Sequence, residues 1–89
     1  MKLGFTPQGW ADCLHWQDTG RDILRVNELI RDTLRSPFVG IGKPEPLVGN
    51  LKGWWSRRIT REHRLVYRVS GSGAAQSVEI AACRFHYRQ

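Results

Sequence analysis

The spacing of apolar positions changes along the chain, and the changes divide it into elements. From Lys2 to Thr6 the apolar residues alternate weakly, with Leu3 and Phe5 on one side, as in a short strand. Thr6 followed by Pro7 predicts a helix start: a hydroxyl cap, then proline at the first helical position, where its missing N–H costs nothing. Trp10, Cys13, Leu14 and Gln17 then recur at helical spacing, which predicts Trp10, Leu14 and part of Trp16 turned inward. Asp18-Thr19-Gly20 breaks this helix. A second helix spans about residues 21–35, with Ile23, Val26, Ile30 and Leu34 as its stripe and Leu24 and Leu29 widening it. Ser36-Pro37 stops it, because the residue before a proline disfavours helical backbone. Two helices joined by so short a loop predict an antiparallel hairpin.

Residues 36–50 hold Pro37, Gly40, Gly42, Pro44, Pro46, Gly49 and Asn50, the composition of a long loop. Such loops in small domains are usually functional or disordered. The prolines favour function, since they stiffen the backbone around Glu45. Three strands are predicted after it. The first runs from Leu51 to Ile59, and the second from His63 to Val69 across the turn Thr60-Arg61-Glu62. The third, Ser77 to Arg84, follows the flexible Gly71-Ser72-Gly73. Alternation puts His63, Leu65, Tyr67 and Val69 on one face of the second strand and Arg64, Val66 and Arg68 on the other. It also groups Val78, Ile80, Ala82, Arg84 and His86 on one side of the third. The predicted fold is a single α+β domain over residues 1–89: an N-terminal strand, a two-helix hairpin and three antiparallel strands. The helices cover one face of the sheet and arginines occupy the other.

Composition narrows the class. Eighty-nine residues with 40% hydrophobic content make one domain with a modest core. No apolar run nears the ~20 residues of a membrane span. The N-terminus lacks a long apolar segment of the secretory type. Cys13 and Cys83 have no metal-ligand spacing, so the expectation is a reduced cytoplasmic protein without metal or other cofactor. The net charge of +6 belongs entirely to one half. Residues 1–39 carry five basic and five acidic side chains, whereas residues 40–89 carry nine and three. Eleven of the fourteen basic residues are arginine, whose planar fork of donors suits phosphate better than the hydrated point charge of lysine. A polyanion, with nucleic acid ahead of a membrane surface, is the expected partner.

One stretch concentrates the chemistry. Between Lys43 and Arg68 lie Arg57, Arg58, Arg61, Arg64 and the pair Trp54-Trp55. At its head Glu45, between Pro44 and Pro46, is the only acid between Asp32 and Glu62. An isolated carboxylate facing arginines, with Arg84-Phe85-His86-Tyr87 closing the chain, is more than a plain binding surface needs. A lone glutamate in a loop is ordinarily a solvated charge, and Arg64 has the duller option of pairing with Glu62 or Glu79. His15 and His63 are read as structural. Of the two tryptophans, one should enter the core and the other face a partner or RNA.

These residues resemble the YoeB-type toxins of the RelE superfamily, the toxin half of bacterial type II toxin–antitoxin pairs. The likeness rests on Trp16-Gln17, Asn27-Glu28-Leu29-Ile30, Lys43-Pro44-Glu45-Pro46-Leu47 and Trp55-Ser56-Arg57-Arg58-Ile59-Thr60. Glu62-His63-Arg64-Leu65-Val66-Tyr67 and Ala82-Cys83-Arg84-Phe85-His86-Tyr87 complete it. The resemblance implies a RelE-like fold and ribosome-dependent endoribonuclease cleavage of mRNA in the A site, which inhibits translation. It also implies neutralisation by a YefM-like antitoxin, operator DNA bound only through that antitoxin, and a homodimer. Carried over by position, Glu45 matches the general base, Arg64 the phosphate-binding arginine, His86 the general acid and Tyr87 the tyrosine completing the site. Lys43, Arg57 and Arg58 match RNA-holding residues, and Lys52, Arg61 and Arg84 extend that basic set. Two departures stand out: Val48 replaces a typical lysine, and Arg88-Gln89 follow the usual terminal His-Tyr. A non-catalytic nucleic-acid binder, or a corepressor acting through its antitoxin, is the alternative.

Overall fold

The computed structural model describes residues 1–85. Strand β1 (Lys2–Phe5) leads into helix α1 (Pro7–Thr19), capped by Thr6, whose hydroxyl accepts from the Gly9 N–H at 3.1 Å. Gly20, with φ 71, closes α1 in the left-handed conformation that suits glycine after a helix. Helix α2 (Ile23–Arg35) follows, then β2 (Glu45–Pro46), β3 (Trp55–Arg58), β4 (Arg64–Ser70) and β5 (Ser77–Ala82). The five strands form one open sheet in the order β1-β5-β4-β3-β2, with β1 parallel to β5 and the other pairs antiparallel.

The α+β architecture is as the sequence predicts, with two additions at the sheet edges. The N-terminal strand pairs in parallel with the last one, and the two-residue β2 sits inside the segment read as a loop. The first long strand is shorter than expected: a 3₁₀ turn takes Gly49–Leu51, and Gly53 at φ 98 turns the chain before β3 begins.

Both helices contribute to one core on one side of the sheet. Cys13 and Trp16 from α1 and Val26, Leu29 and Ile30 from α2 join Ile59, Leu65, Tyr67, Val78, Ile80 and Cys83. The inward side of α1 differs from expectation. Trp16 is buried as expected, but Trp10 is 48% exposed and Leu14 38%, and Gly9, Asp12 and Cys13 are buried instead. The reason is close approach: a Cβ on Gly9 would lie 2.2 Å from the Ile80 carbonyl oxygen, so the helix rests on β5 through its glycine. Leu24 is likewise exposed, and Thr33 takes a core position on α2, its hydroxyl donating to the Leu29 carbonyl at 2.7 Å.

The alternation in β5 is also corrected. Val66 faces Ala82 and Tyr67 faces Ile80, leaving Ala81 as an extra residue. This bulge shifts the period by one. Val78 and Ile80 point into the core, Ala82 shares the opposite face with Val66, and Cys83 is buried.

Candidate functional site

Residues directly opposite in neighbouring strands share a face, so register locates the site. Glu45 lies opposite Ser56, Ser56 opposite Val66, and Arg58 opposite Arg64. Ser56 and Arg58 are two residues apart on β3 and point the same way. Glu45, Arg58 and Arg64 therefore stand on the face away from the helices, with Ser56 and Val66 between them. Two strand spacings separate Glu45 from Arg64 by about 10 Å across the sheet, and two residues by about 7 Å along it. Arg68 is on this face as well, but it is engaged: its Nη2 meets Glu79 Oε1 at 2.7 Å, and its guanidinium lies 4.6 Å from the Trp54 ring centre. Glu79 is thus the partner of Arg68, not of Arg64. Trp55 packs against the core, so the two tryptophans do diverge.

Arg64 is half-buried, and its guanidinium is anchored from one edge. Nη1 donates to the carbonyls of Thr60 (2.8 Å), Arg61 (3.1 Å) and His63 (3.1 Å), closing the β3–β4 turn. Arg58 and Arg61 are exposed beside it. Arg84 reaches the same end of the sheet, because β5 runs antiparallel to β4. It lines a cleft of about 320 Å³ with His15, Trp16, His63 and Phe85. Lys43 and Glu45 are exposed on the segment entering β2. Lys52, in the loop between β2 and β3, belongs to the opposite end of the sheet, away from Arg64. Val48 is exposed in that same loop.

Arg57 requires a correction. Expected to hold RNA, it is fully buried. Its Nη1 donates to Asp32 Oδ2 (2.7 Å) and the Ile41 carbonyl (3.1 Å), and its Nη2 to the carbonyls of Ser36 and Val39. Its Nε donates to the Tyr67 hydroxyl (3.2 Å), which donates in turn to the Pro37 carbonyl. Arg57 is committed to folding residues 36–41 and cannot reach RNA. The hydrogen bond from Arg57 holds the Asp32 carboxyl below its usual range, reinforced by the Ile41 N–H, and burial pushes the Tyr67 phenol up.

This clamp delivers the acid-bearing segment. Asp32 Oδ2 also accepts from the Ile41 N–H at 3.1 Å, and the Gly42 carbonyl accepts from the Arg58 N–H at 2.7 Å. Gly42 adopts φ 79, and a Cβ there would meet Leu29 Cδ2 at 2.6 Å. Leu47, buried just beyond β2, donates its N–H to the Trp54 carbonyl at 2.9 Å. Glu45 is thereby presented from a segment tied on both sides. Asp32 and Tyr67 were not singled out from the sequence. The available signal was parity: adjacent residues on a strand face opposite ways, so Arg57 and Arg58 cannot both reach the open face.

His86 and Tyr87, the expected acid and its neighbour, lie outside the described residues, as do Arg88 and Gln89. The residue before them is placed: the Phe85 carbonyl accepts from the Arg64 N–H at 3.0 Å. Among the described residues no helix is long and apolar enough to cross a membrane.

A family described as the YoeB-like toxin of bacterial type II toxin–antitoxin systems matches residues 5–87. The toxin YoeB of Escherichia coli K12 is 57% identical over 88 residues, covering 98% of this chain and 100% of that protein. A solved YoeB/ParE toxin from Agrobacterium tumefaciens superposes with a TM-score of 0.91 at 57% identity, covering 98% and 100% of the two chains. YoeB of Staphylococcus aureus, solved as a dimer and in complex with YefM, gives 0.84 at 39% identity and 98% coverage of both chains. The chain therefore belongs to the YoeB-like toxins of bacterial type II toxin–antitoxin systems.

Proposed function

We propose that this toxin is a metal-independent endoribonuclease that cuts mRNA in the ribosomal A site, with Glu45, Arg64, His86 and Tyr87 forming the reacting centre. The observation that carries this reading is the register of β2, β3 and β4, which sets one carboxylate on the same open face as Arg58 and Arg64. Glu45 takes the proton from the 2′-hydroxyl, whose oxygen attacks the adjacent phosphorus. The bond to the 5′-oxygen breaks, and His86 protonates that leaving oxygen. Arg64 faces the negative charge that builds on the phosphate; its guanidinium is already oriented through Nη1 by three carbonyls, so little ordering remains at the moment of reaction. Tyr87, next in sequence to His86, completes the set. Lys43, Arg58, Arg61 and Arg84 track the RNA backbone, and Lys52 takes a more distant contact. Products are a 2′,3′-cyclic phosphate, opening to a 3′-phosphate, and a 5′-hydroxyl.

A YefM-like antitoxin is the neutralising partner, and an acidic or amphipathic segment folding over the basic face fits the charge of the second half. A homodimer and operator binding through the antitoxin complete the reading, in a bacterial cytoplasmic setting. The test is primer extension on programmed ribosomes at the lowest free magnesium that keeps them intact, in EDTA-containing buffer. A cut within the A-site codon, lost in Glu45→Ala and His86→Ala, is the expected result. An intact message with folded wild-type protein would leave only a binding surface.

A further inference from the structure

Two residues near the end of the chain, Cys83 and Phe85, are each held at both backbone polar groups. The Cys83 N–H donates to the buried Asp12 Oδ2 at 3.0 Å, and the Cys83 carbonyl accepts from Trp16 Nε1 at 2.7 Å, so α1 grips that residue from two sides. Two residues on, the Phe85 N–H donates to His63 Nδ1 at 2.7 Å and the Phe85 carbonyl accepts from the Arg64 N–H at 3.0 Å. Beyond the first grip Phe85 takes φ 61, a left-handed conformation unfavourable for any residue with a Cβ. The residue is 56% exposed, so burial does little to hold it there. What holds it is the pair of hydrogen bonds, one from the backbone of Arg64 and one to an imidazole. Strained backbone of this kind persists only where its surroundings impose it, and it gathers at functional sites.

His63 is built for that single acceptor role. Its ring meets Trp16 edge-on at 4.9 Å and Phe85 at 5.6 Å, so its plane is fixed by neighbours. Trp16 is in turn pinned by Cys83. To accept from Phe85, Nδ1 must carry a lone pair, which places the proton of the neutral ring on Nε2. We infer that His63 is a positioning residue for the cleavage reaction: its Nδ1 holds Phe85, the residue that precedes the expected acid His86 in sequence, in the left-handed turn. His63 touches neither substrate nor reacting atoms in this role; it acts through the Phe85 peptide.

The role presupposes the ribonuclease reading above, and one set of measurements separates the two. Steady-state cleavage on programmed ribosomes is compared for wild type, His63→Ala, His63→Asn and His63→Gln. Asparagine puts Oδ1 where Nδ1 stands, two bonds from Cβ; glutamine is bulkier but carries its oxygen one bond too far. The expected order is wild type and His63→Asn within about threefold in kcat, with His63→Gln and His63→Ala lower by about tenfold or more and KM little changed. The Phe85 amide resonance, shifted downfield by its bond to the ring, keeps a hydrogen-bonded position in His63→Asn and moves upfield in His63→Gln. Equal kcat for the asparagine and glutamine variants, or a Phe85 amide that does not move in His63→Gln, would overturn the role. Failure of the wild type to cleave at all would remove the ribonuclease reading and the positioning role with it.

Discussion

Arg57 and Arg58 are neighbours on β3 with opposite environments. Arg58 stands on the open face; Arg57 is buried among Asp32, Tyr67 and the carbonyls of Ser36, Val39 and Ile41. Their identical side chains do not separate the two. What separates them is parity on the strand and an acid 25 residues earlier, brought alongside by α2. Removing one partner of a buried, hydrogen-bonded pair strands the others without donors, so Arg57→Met should cost about 3–5 kcal/mol in urea unfolding. The same pair leaves a signature in acid. Asp32 has a lowered carboxyl pKa in the folded chain against an ordinary value of 3.8. Its contribution to stability is therefore present above that unfolded value and is lost as pH falls through the folded one. Unfolding midpoints measured between pH 7 and 2 should fall more gently in Arg57→Met than in wild type. An equally steep fall would assign the acid sensitivity to other groups.

At the scale of elements, the capping and breaking signals were legible and the packing faces less so. Thr6-Pro7 and Gly20 bound α1 as expected, because caps and left-handed termini depend on local backbone chemistry. The buried face of α1 was read only at Trp16, because two of its other members, Gly9 and Asp12, are not apolar and leave no mark in a hydrophobic pattern. Gly9 is there for clearance from the Ile80 carbonyl, and Asp12 for the Cys83 N–H. A methyl group at Gly9 pushes α1 off β5. Gly9→Ala should therefore lower stability by about 1–3 kcal/mol by calorimetry, despite the better helix propensity of alanine. A neutral or stabilising result would mean that the helix shifts without loss. The bulge at Ala81 was equally hidden, since an extra residue shows only in the pairing of two strands. The two-residue β2 is too short to carry any period, and the parallel pairing of β1 with β5 joins the two ends of the chain.

For the whole molecule, the charge asymmetry of the sequence becomes a geometric one. The acid–base-balanced half supplies the first strand and both helices, and the basic half supplies the rest of the sheet. Arg58 on the helix-free face is exposed to solvent, whereas Arg57, which points inward, is consumed by folding. Glu45 and Arg64 each stand in a short, distinctive segment of the sequence. Their common face is a consequence of register, which the sequence carries only through alternation. The chemistry proposed for that face is tested most directly by the identity of the ends at the cut. Message cleaved on ribosomes should carry a 5′-hydroxyl on the downstream fragment, labelled by polynucleotide kinase without prior phosphatase. The upstream fragment should end in a 2′,3′-cyclic or 3′-phosphate. A 5′-phosphate paired with a 3′-hydroxyl would mean that water or another external nucleophile attacks, and would contradict the roles proposed for Glu45 as base and His86 as acid.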